Sequence, residues 1–530
     1  MTIVEAQGRM RKGRRLSLLS LVVGTVAITN VVVPRGTSAV GASTRAVAPV
    51  SDTRSSRARA IPSAAAWETY TNVLSSAPRA GSGREARVNP LTSDPRFGVV
   101  EAETRSALAN RIGVRWTRIP FNWGGLQKDG PGAWNTFYLS GTNGGSSGVV
   151  DRALTQGRSL AGILVGTPGW ARANPGAGDA SAPTNLDKPW HVPTTAADWT
   201  SPRANYWGNY AYRMARSYKG RINDWIIWNE VSIPANTSWT QWRGTMAQYA
   251  TMLAVSWQAI KAANPAARIV LYGDPYWYDH GAYMGALYAL LHRMDPTNRF
   301  HGYFDVANLH LYSNSVDMGK TIGWVRSQLA LYGWSKKPVW VSETNAQPYN
   351  DDYGMHKSHR DFRVSQEAQA SFLVDAVAEF MAARVDRLEV YKMTDGSDPN
   401  GYGLTTNAGG LRRVVKTYAF MNWLMRGVTG GTVTNGARFD GKGGVFKVVL
   451  HGPRERITIL WNQGATPQTV RLALSDPHAV SYSKYGLLLP LAKASGACTL
   501  TLAGNADFTN QYDPRIPVVG GDPAIIVEKA

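Results

Sequence analysis

At 530 residues, with 44% hydrophobic, 18% charged and 10% aromatic side chains, the chain has ample apolar material for a large core and is not of a disordered composition. Its formal net charge of +20 is partly local: residues 1–60 hold ten Arg or Lys against Glu5 and Asp52, a net of +8, which leaves +12 for the rest. No dense Lys/Arg run interleaved with aromatics occurs in that remainder, which argues against nucleic-acid binding and for attraction to an acidic polymer or surface.

In chain order, Arg9, Arg11, Lys12, Arg14 and Arg15 precede a mostly apolar run from Leu16 to Val33, and Thr37-Ser38-Ala39 offers a small-residue cleavage site. This predicts an export signal over 1–39 and a secreted or cell-surface protein, with no stable membrane span once the signal is removed. Ser17, Ser20, Thr25, Thr29 and Asn30 weaken the alternative of an uncleaved anchor. Residues 40–94 read as a disordered leader and linker, rich at first in Ala, Ser, Arg and Pro. The only cysteine is Cys498, which excludes an intrachain disulfide.

From Phe97 onward short apolar runs alternate with longer helical ones. Strands are predicted at Phe97–Val100, Val114–Arg118, Ala161–Gly166, Asp224–Glu230 (DWIIWNE), Arg268–Tyr272, Phe304–Leu311, Pro338–Ser342 and Arg387–Met393. Helical spacing falls between them at Thr104–Ile112, Ala204–Tyr218, Met246–Ala263, Tyr283–His292, Val325–Tyr332 and Gln366–Ala383. Eight strands joined by helical crossovers predict an α/β fold, a (β/α)8 TIM barrel over 95–425. The alternative, an open doubly wound sheet, gains nothing from the first strand, which no G-x-G-x-x-G loop follows. After about residue 426 the texture changes to Gly-rich turns between alternating runs: Val445–Leu450, Ile457–Trp461, Thr469–Leu474, Cys498–Leu502 and Ala524–Val527. This predicts an all-β sandwich over 426–530.

In a parallel barrel the C-terminal strand ends share one face, where the loops build a site. Glu230 ends the fourth strand and Glu343, in VWVSETN, ends the seventh, so the topology carries both to one mouth. Paired carboxylates across a cleft suit acetal hydrolysis, in which one donates a proton to the leaving oxygen and the other attacks the sugar carbon.

With these residues in hand, 95–425 resembles the barrel of the clan A glycoside hydrolases. Asn229-Glu230 is similar to that clan's acid/base signature, and Ser342-Glu343 to its nucleophile position. Leu309-His310-Leu311-Tyr312 at strand six and Arg118 at the end of strand two match in kind. The C-terminal sandwich, with its closing run Val518–Val527, looks like the accessory domain of several families of the clan, including family 39. The resemblance implies an exported retaining glycosidase with Glu230 and Glu343 as catalytic pair. It further implies that Arg118 keeps Glu343 ionised, that Tyr312 donates to Glu343 beside His310, and that Asn229 binds the sugar. Where many clan barrels carry a strand-eight Trp, this chain has EVYKMTDG, so Tyr391, Met393 or Asp395 occupies that region. Trp170 and Trp277, on the loops after strands three and five, are the candidate sugar platforms, and Asp274 reads as a turn former before Pro275.

No cofactor or metal is expected. There is no H-E-x-x-H, and His356 and His359 lie in a polar loop. The partner is a glycan; sugar, linkage and oligomeric state are not encoded in these motifs. The competing reading is a non-catalytic carbohydrate-binding protein on a degenerate barrel, which the presence of both glutamates disfavours.

Overall fold

The computed structural model describes residues 93–135, 148–237, 239–312, 315, 317–348, 363–396, 401–434, 444–504, 509–510, 513–517 and 519–530. The export signal, nearly all of the leader, and His356, His359 and Val518 lie outside these residues.

Eight strands form one parallel sheet: β1 (Phe97–Val99), β2 (Trp116–Asn122), β3 (Ser159–Val165), β4 (Asp224–Ile227), β5 (Arg268–Val270), β6 (Ala307–Tyr312), β7 (Val339–Asn345) and β8 (Arg387–Val390). Their order is β5-β4-β3-β2-β1-β8-β7-β6. The two ends meet through single parallel bridges, Val270 to Val306 and Asp274 to Leu309, so the sheet is a nearly closed barrel. A crossover helix follows each strand: α1 (Ser106–Arg111), α2 (Val149–Thr155), α3 (Tyr206–Ser217), α4 (Met246–Ala263), α5 (Ala282–Met294), α6 (Met318–Leu331), α7 (Gln366–Ala382) and α8 (Val414–Leu424), with short extra helices at Trp123–Leu126 after β2 and Ala196–Thr200 after β3. The strands are short runs rich in Val, Ile, Leu and Trp because both faces are covered, one by helices and one by the barrel interior. Helix starts carry the expected caps. Asn205 accepts from Gly208 N at α3, and Thr245 with Gln248 closes a reciprocal box at α4.

The lower barrel is plugged by Trp116, Ala161, Ile163, Ile226, Val270, Val306 and Trp340. Below it Asp224, the first residue of β4, accepts from Arg268 Nε at 2.6 Å and pairs with Arg387 Nη1 at 3.0 Å. The acid that opens DWIIWNE therefore ties the barrel floor, while the acid that ends it faces the opposite rim.

β2 runs four residues beyond its predicted end, which moves Arg118 from the strand terminus to its third position. Pro120 does not stop it. Arg118 N points to the β1 side, where it donates to Glu389, so by alternation the donor lost at Pro120 faces that side too, where β1 has already ended at Val99.

Beyond α8 lie antiparallel sheets. The larger runs in the order Gly430–Thr434, Val445–His451, Glu455–Asn462, Ala524–Lys529, Val480–Tyr482 and Leu488–Leu489. The smaller runs in the order Gln468–Ala473, Ala497–Leu502 and Lys493–Ala494. Leu460 and Ile526 of the first pack on Leu472, Cys498 and Leu502 of the second, forming the predicted sandwich core. The other face of the larger sheet, with Phe446, Val448, Ile457, Ile459 and Trp461, joins the barrel's main core. That contact explains α7: every residue from Ala368 to Met381 is buried, because this helix has barrel on one side and sheet on the other.

Candidate active site

The site is built on two local departures from regular strand geometry. The first is in β7. Leu309 of β6 pairs with Val341, yet the next β6 residue, His310, pairs with Glu343. On the other edge Leu388 pairs with Val341 and Val390 with Thr344. β7 thus carries one extra residue at Ser342–Glu343, a bulge against both neighbours. In an unbroken strand adjacent side chains point to opposite faces. With the bulge, Ser342 and Glu343 both reach His310 in the barrel interior.

The second departure follows β4. Trp228 (φ 67°) and Glu230 (φ 45°) both adopt the left-handed conformation, which bulky residues avoid at a cost of about 1–3 kcal/mol each. Tertiary bonds hold them there. Trp228 Nε1 donates to Gln241 O at 2.6 Å, Glu230 N donates to Tyr272 O at 2.9 Å, and the Trp228 indole packs on Trp207 and Trp242.

His310 joins the two glutamates. Its buried ring sets Nδ1 at 2.7 Å from Glu230 Oε1 and 3.5 Å from Glu343 Oε2. Nε2 lies 3.1 Å from Ser342 Oγ and 3.3 Å from Arg118 Nη1. A ring that carries its proton on Nδ1 satisfies all of these contacts, donating toward the carboxylates and accepting at Nε2. Gly273 makes room for it: at φ +72° a side-chain carbon there would collide with His310 Nε2.

Glu343 is held from two sides, by the Arg118 guanidinium on Oε1 and by the Tyr312 hydroxyl on Oε2. Burial pushes its pKa up, but the Arg118 charge, His310 and these hydrogen bonds outweigh burial and hold it below the ordinary carboxylate range. Burial, reinforced by the Glu343 charge, raises Tyr312 well above the usual phenol value, so it stays a neutral donor.

A second acid in the same space escaped the sequence reading. Glu389 of β8 is fully buried, accepts from Arg118 N at 3.2 Å, and lies 3.3 Å from Arg118 Nε. Burial, with help from the Glu343 charge and against Arg118, pushes it up to about 8. Burial thus favours the neutral form of Glu389, while the Arg118 guanidinium bonds Glu343 directly. The available signal was the charged pair Arg387 and Glu389 alternating with Leu388 and Val390 in a strand buried on both faces. Asp274, read as a turn former, is instead fully buried in the β5–β6 closure. It accepts from the Tyr272 hydroxyl, and burial raises it to about 7.

Arg118, Glu230, His310, Tyr312 and Glu343 thus form one connected group. Asn229 sits at its edge, donating from Nδ2 to Gln241 Oε1 at 3.0 Å, while Gln241 Nε2 reaches Glu230 Oε2 at 3.3 Å. Gln241 had no sequence signal, since it lies in an irregular loop. Trp170, after β3, is half-buried, donating to Gln127 O at 2.7 Å and packing on Trp123 and Tyr206. The backbone of Trp277 lies in a helical turn after β5, and its side chain is outside the described residues. In place of the strand-eight Trp, Tyr391 joins Tyr402 and Tyr312 in a ring cluster with centroids 5.3–6.0 Å apart.

Glu230, His310 and Glu343 present ligand atoms within 4.8 Å of one another. By composition they match a two-carboxylate, one-imidazole metal set. A divalent cation there would, however, face the Arg118 guanidinium that already neutralises Glu343.

No family model matches the chain, and no curated protein matches it in sequence. Solved structures do match. A family 39 glycoside hydrolase from Bacteroides cellulosilyticus WH2 superposes with a TM-score of 0.59 at 13% identity, over 84% of this chain and 82% of that one. A glucosidase from Croceicoccus marinus gives 0.51 at 11% identity, over 84% and 98%. A family 51 α-L-arabinofuranosidase from Bifidobacterium longum gives 0.50 at 16%, also over 84% and 98%. The likeness is one of fold: an eight-stranded parallel barrel followed by C-terminal β-sheets.

Proposed function

We propose that the protein is an exported retaining glycoside hydrolase. The observation that carries this reading is the separation of the two glutamates: an oxygen of Glu230 and one of Glu343 lie within 4.8 Å. That nearest-oxygen approach fits the spacing of a retaining pair, whose carboxyl groups stand roughly 5–5.5 Å apart, better than the about 6.5–9.5 Å at which an inverting pair admits a water. Glu343, ionised and aimed by Arg118 and Tyr312, attacks the anomeric carbon. Glu230 gives its proton to the leaving oxygen as the glycosidic C–O bond breaks, leaving a glycosyl ester on Glu343. Glu230 then takes a proton from a water, which attacks the same carbon, frees the Glu343 carboxylate and leaves Glu230 protonated again. In this reading Asn229 and Gln241, which bond each other and Glu230 at the edge of the group, meet sugar hydroxyls. The N-terminal basic and apolar run supports export, and sequencing the N-terminus of secreted protein tests it.

The test of the reaction is to follow the anomeric configuration of the first-formed product by NMR on a panel of oligosaccharides. Retention is expected, Glu343→Gln should abolish turnover while keeping glycan binding, and Glu230→Gln should lower kcat about 10²–10⁴-fold. An inverted product overturns the double displacement. A parent chain that binds glycans without turning them over establishes the carbohydrate-binding reading instead.

A further inference from the structure

Few large apolar side chains of the described residues are exposed, and two of them stand together at the rim. Trp239, in the loop after β4, is 50% exposed, and Tyr278, in the turn after β5, is 45% exposed. Trp239 Nε1 donates to the Tyr278 hydroxyl at 2.5 Å, so the pair is fixed across two loops that share the C-terminal face. Exposed rings ordinarily shed such constraints; here the bond satisfies the indole N–H and holds the pair in one arrangement.

The pair's place in the site is set by the chain. Trp239 is two residues before Gln241, so their Cα atoms are at most about 7 Å apart. Gln241 is the residue whose amide meets both Asn229 and Glu230. The loop between is anchored: Thr240 Oγ1 donates to Ile233 O at 3.3 Å, and Trp242 packs on Trp228 at 5.1 Å and on Tyr249 at 6.0 Å. On the Tyr278 side, Tyr276 packs on Trp324 and Asp279 caps α5 through Gly281 N and Tyr283 N. The aromatic pair therefore stands within two residues of Gln241, the side chain that meets Asn229 and Glu230, whereas Glu343 is held by Arg118 and Tyr312 of other strands.

We propose that Trp239 and Tyr278 form a binding platform for a pyranose ring on the leaving-group side of the bond that is cut, so that the substrate is a saccharide chain rather than a glycoside of a small alcohol. The assignment of sides rests on the proposed function, in which Glu230 protonates the leaving oxygen. A pyranose presents a C–H-lined face that packs on an aromatic ring while its hydroxyls stay in water, which is the chemistry an amphipathic, half-exposed Trp–Tyr pair offers.

The experiment uses the full chain and xylo-, cello-, manno- and laminari-oligosaccharides of two to six residues, with the matching mono- and disaccharide glycosyl fluorides. Fluoride is too small to reach Trp239. For the best-cleaved oligosaccharide, Trp239→Ala should lower the ratio of kcat/KM on the chain to kcat/KM on the fluoride about tenfold, with Trp239→Phe retaining most of it. In the Glu343→Gln background Trp239→Ala should also weaken oligosaccharide binding about tenfold by calorimetry. An unchanged ratio with unchanged binding overturns the platform while hydrolysis by the parent leaves the proposed function standing. Weakened binding in a chain that never turns over any of the panel keeps the platform and sinks the hydrolase. A parent chain that binds none of the panel overturns the platform as a pyranose site.

Discussion

Arg118 stands between two buried carboxyls that differ in how they meet it. Glu343 takes a direct hydrogen-bonded contact with the guanidinium, whereas Glu389 meets Nε at 3.3 Å and is pushed up to about 8 by burial. One buried cation facing one buried anion avoids the desolvation cost of a second uncompensated charge. Arg118→Met should then remove the largest attraction holding Glu343 ionised, so its pKa rises. The acid limb of kcat/KM, which reports ionisation of Glu343 in the free enzyme, should move to higher pH, with a loss of about 10²-fold or more at the optimum. A pH profile of the variant against glycosyl fluorides checks this; an unmoved acid limb means that Arg118 does not tune Glu343. The sequence indicated Arg118, Tyr312 and His310 as companions of the glutamates. It was silent on Glu389 and Gln241, whose involvement depends on which strands and loops come together.

Single strands and loops supply the strain and the openings that the site needs. The β7 bulge turns Glu343 inward beside Ser342, and two left-handed residues after β4 aim Glu230. Gly273, also left-handed, lies in the β5–β6 closure and leaves the volume that the His310 ring fills. Gly273→Ala should displace His310 and with it the link between Glu230 and Glu343. We expect a kcat loss of about tenfold or more together with a stability loss of about 1–3 kcal/mol, because the new methyl meets a buried ring and the backbone adopts a conformation alanine avoids. Urea unfolding and steady-state rates on one preparation measure both. Wild-type activity in the variant would mean that the ring has room to move.

Across the whole molecule the C-terminal sheets complete the barrel's covering. α7 is buried from Ala368 to Met381, and it carries two acids one turn apart, Asp375 and Glu379. Burial, further raised by Glu379, lifts Asp375 well above its ordinary value. Burial lifts Glu379 from 4.5 to about 8, against the hydrogen bond from Gly319 N. For a group whose folded pKa is raised, the native state binds more protons than the unfolded chain, so its stabilising effect is complete below the unfolded pKa and is lost as pH rises through the folded one. The window for Glu379 therefore runs from near 4.5 to about 8. Tm should be higher at pH 5.5 than at pH 8.5. Glu379→Gln, neutral at every pH, should recover about 1–2 kcal/mol at pH 8.5 and flatten the difference. Calorimetric Tm values at the two pH values test this, and an equal pH dependence in the variant would remove Glu379 from the account.

By itself the sequence determined the alternation of eight strands with helices, the change to antiparallel β texture near residue 426, and the placement of Glu230 and Glu343 on one rim. These follow from hydrophobic period and parallel topology, which are local or nearly local properties. Only the tertiary structure decided that β2 passes through Pro120, that β7 bulges at Ser342–Glu343, that Asp274 is buried, and that Glu389 and Gln241 belong to the site. Each of these turns on which backbone edge or side-chain face a neighbour from a distant part of the chain covers, and that is decided when the barrel closes.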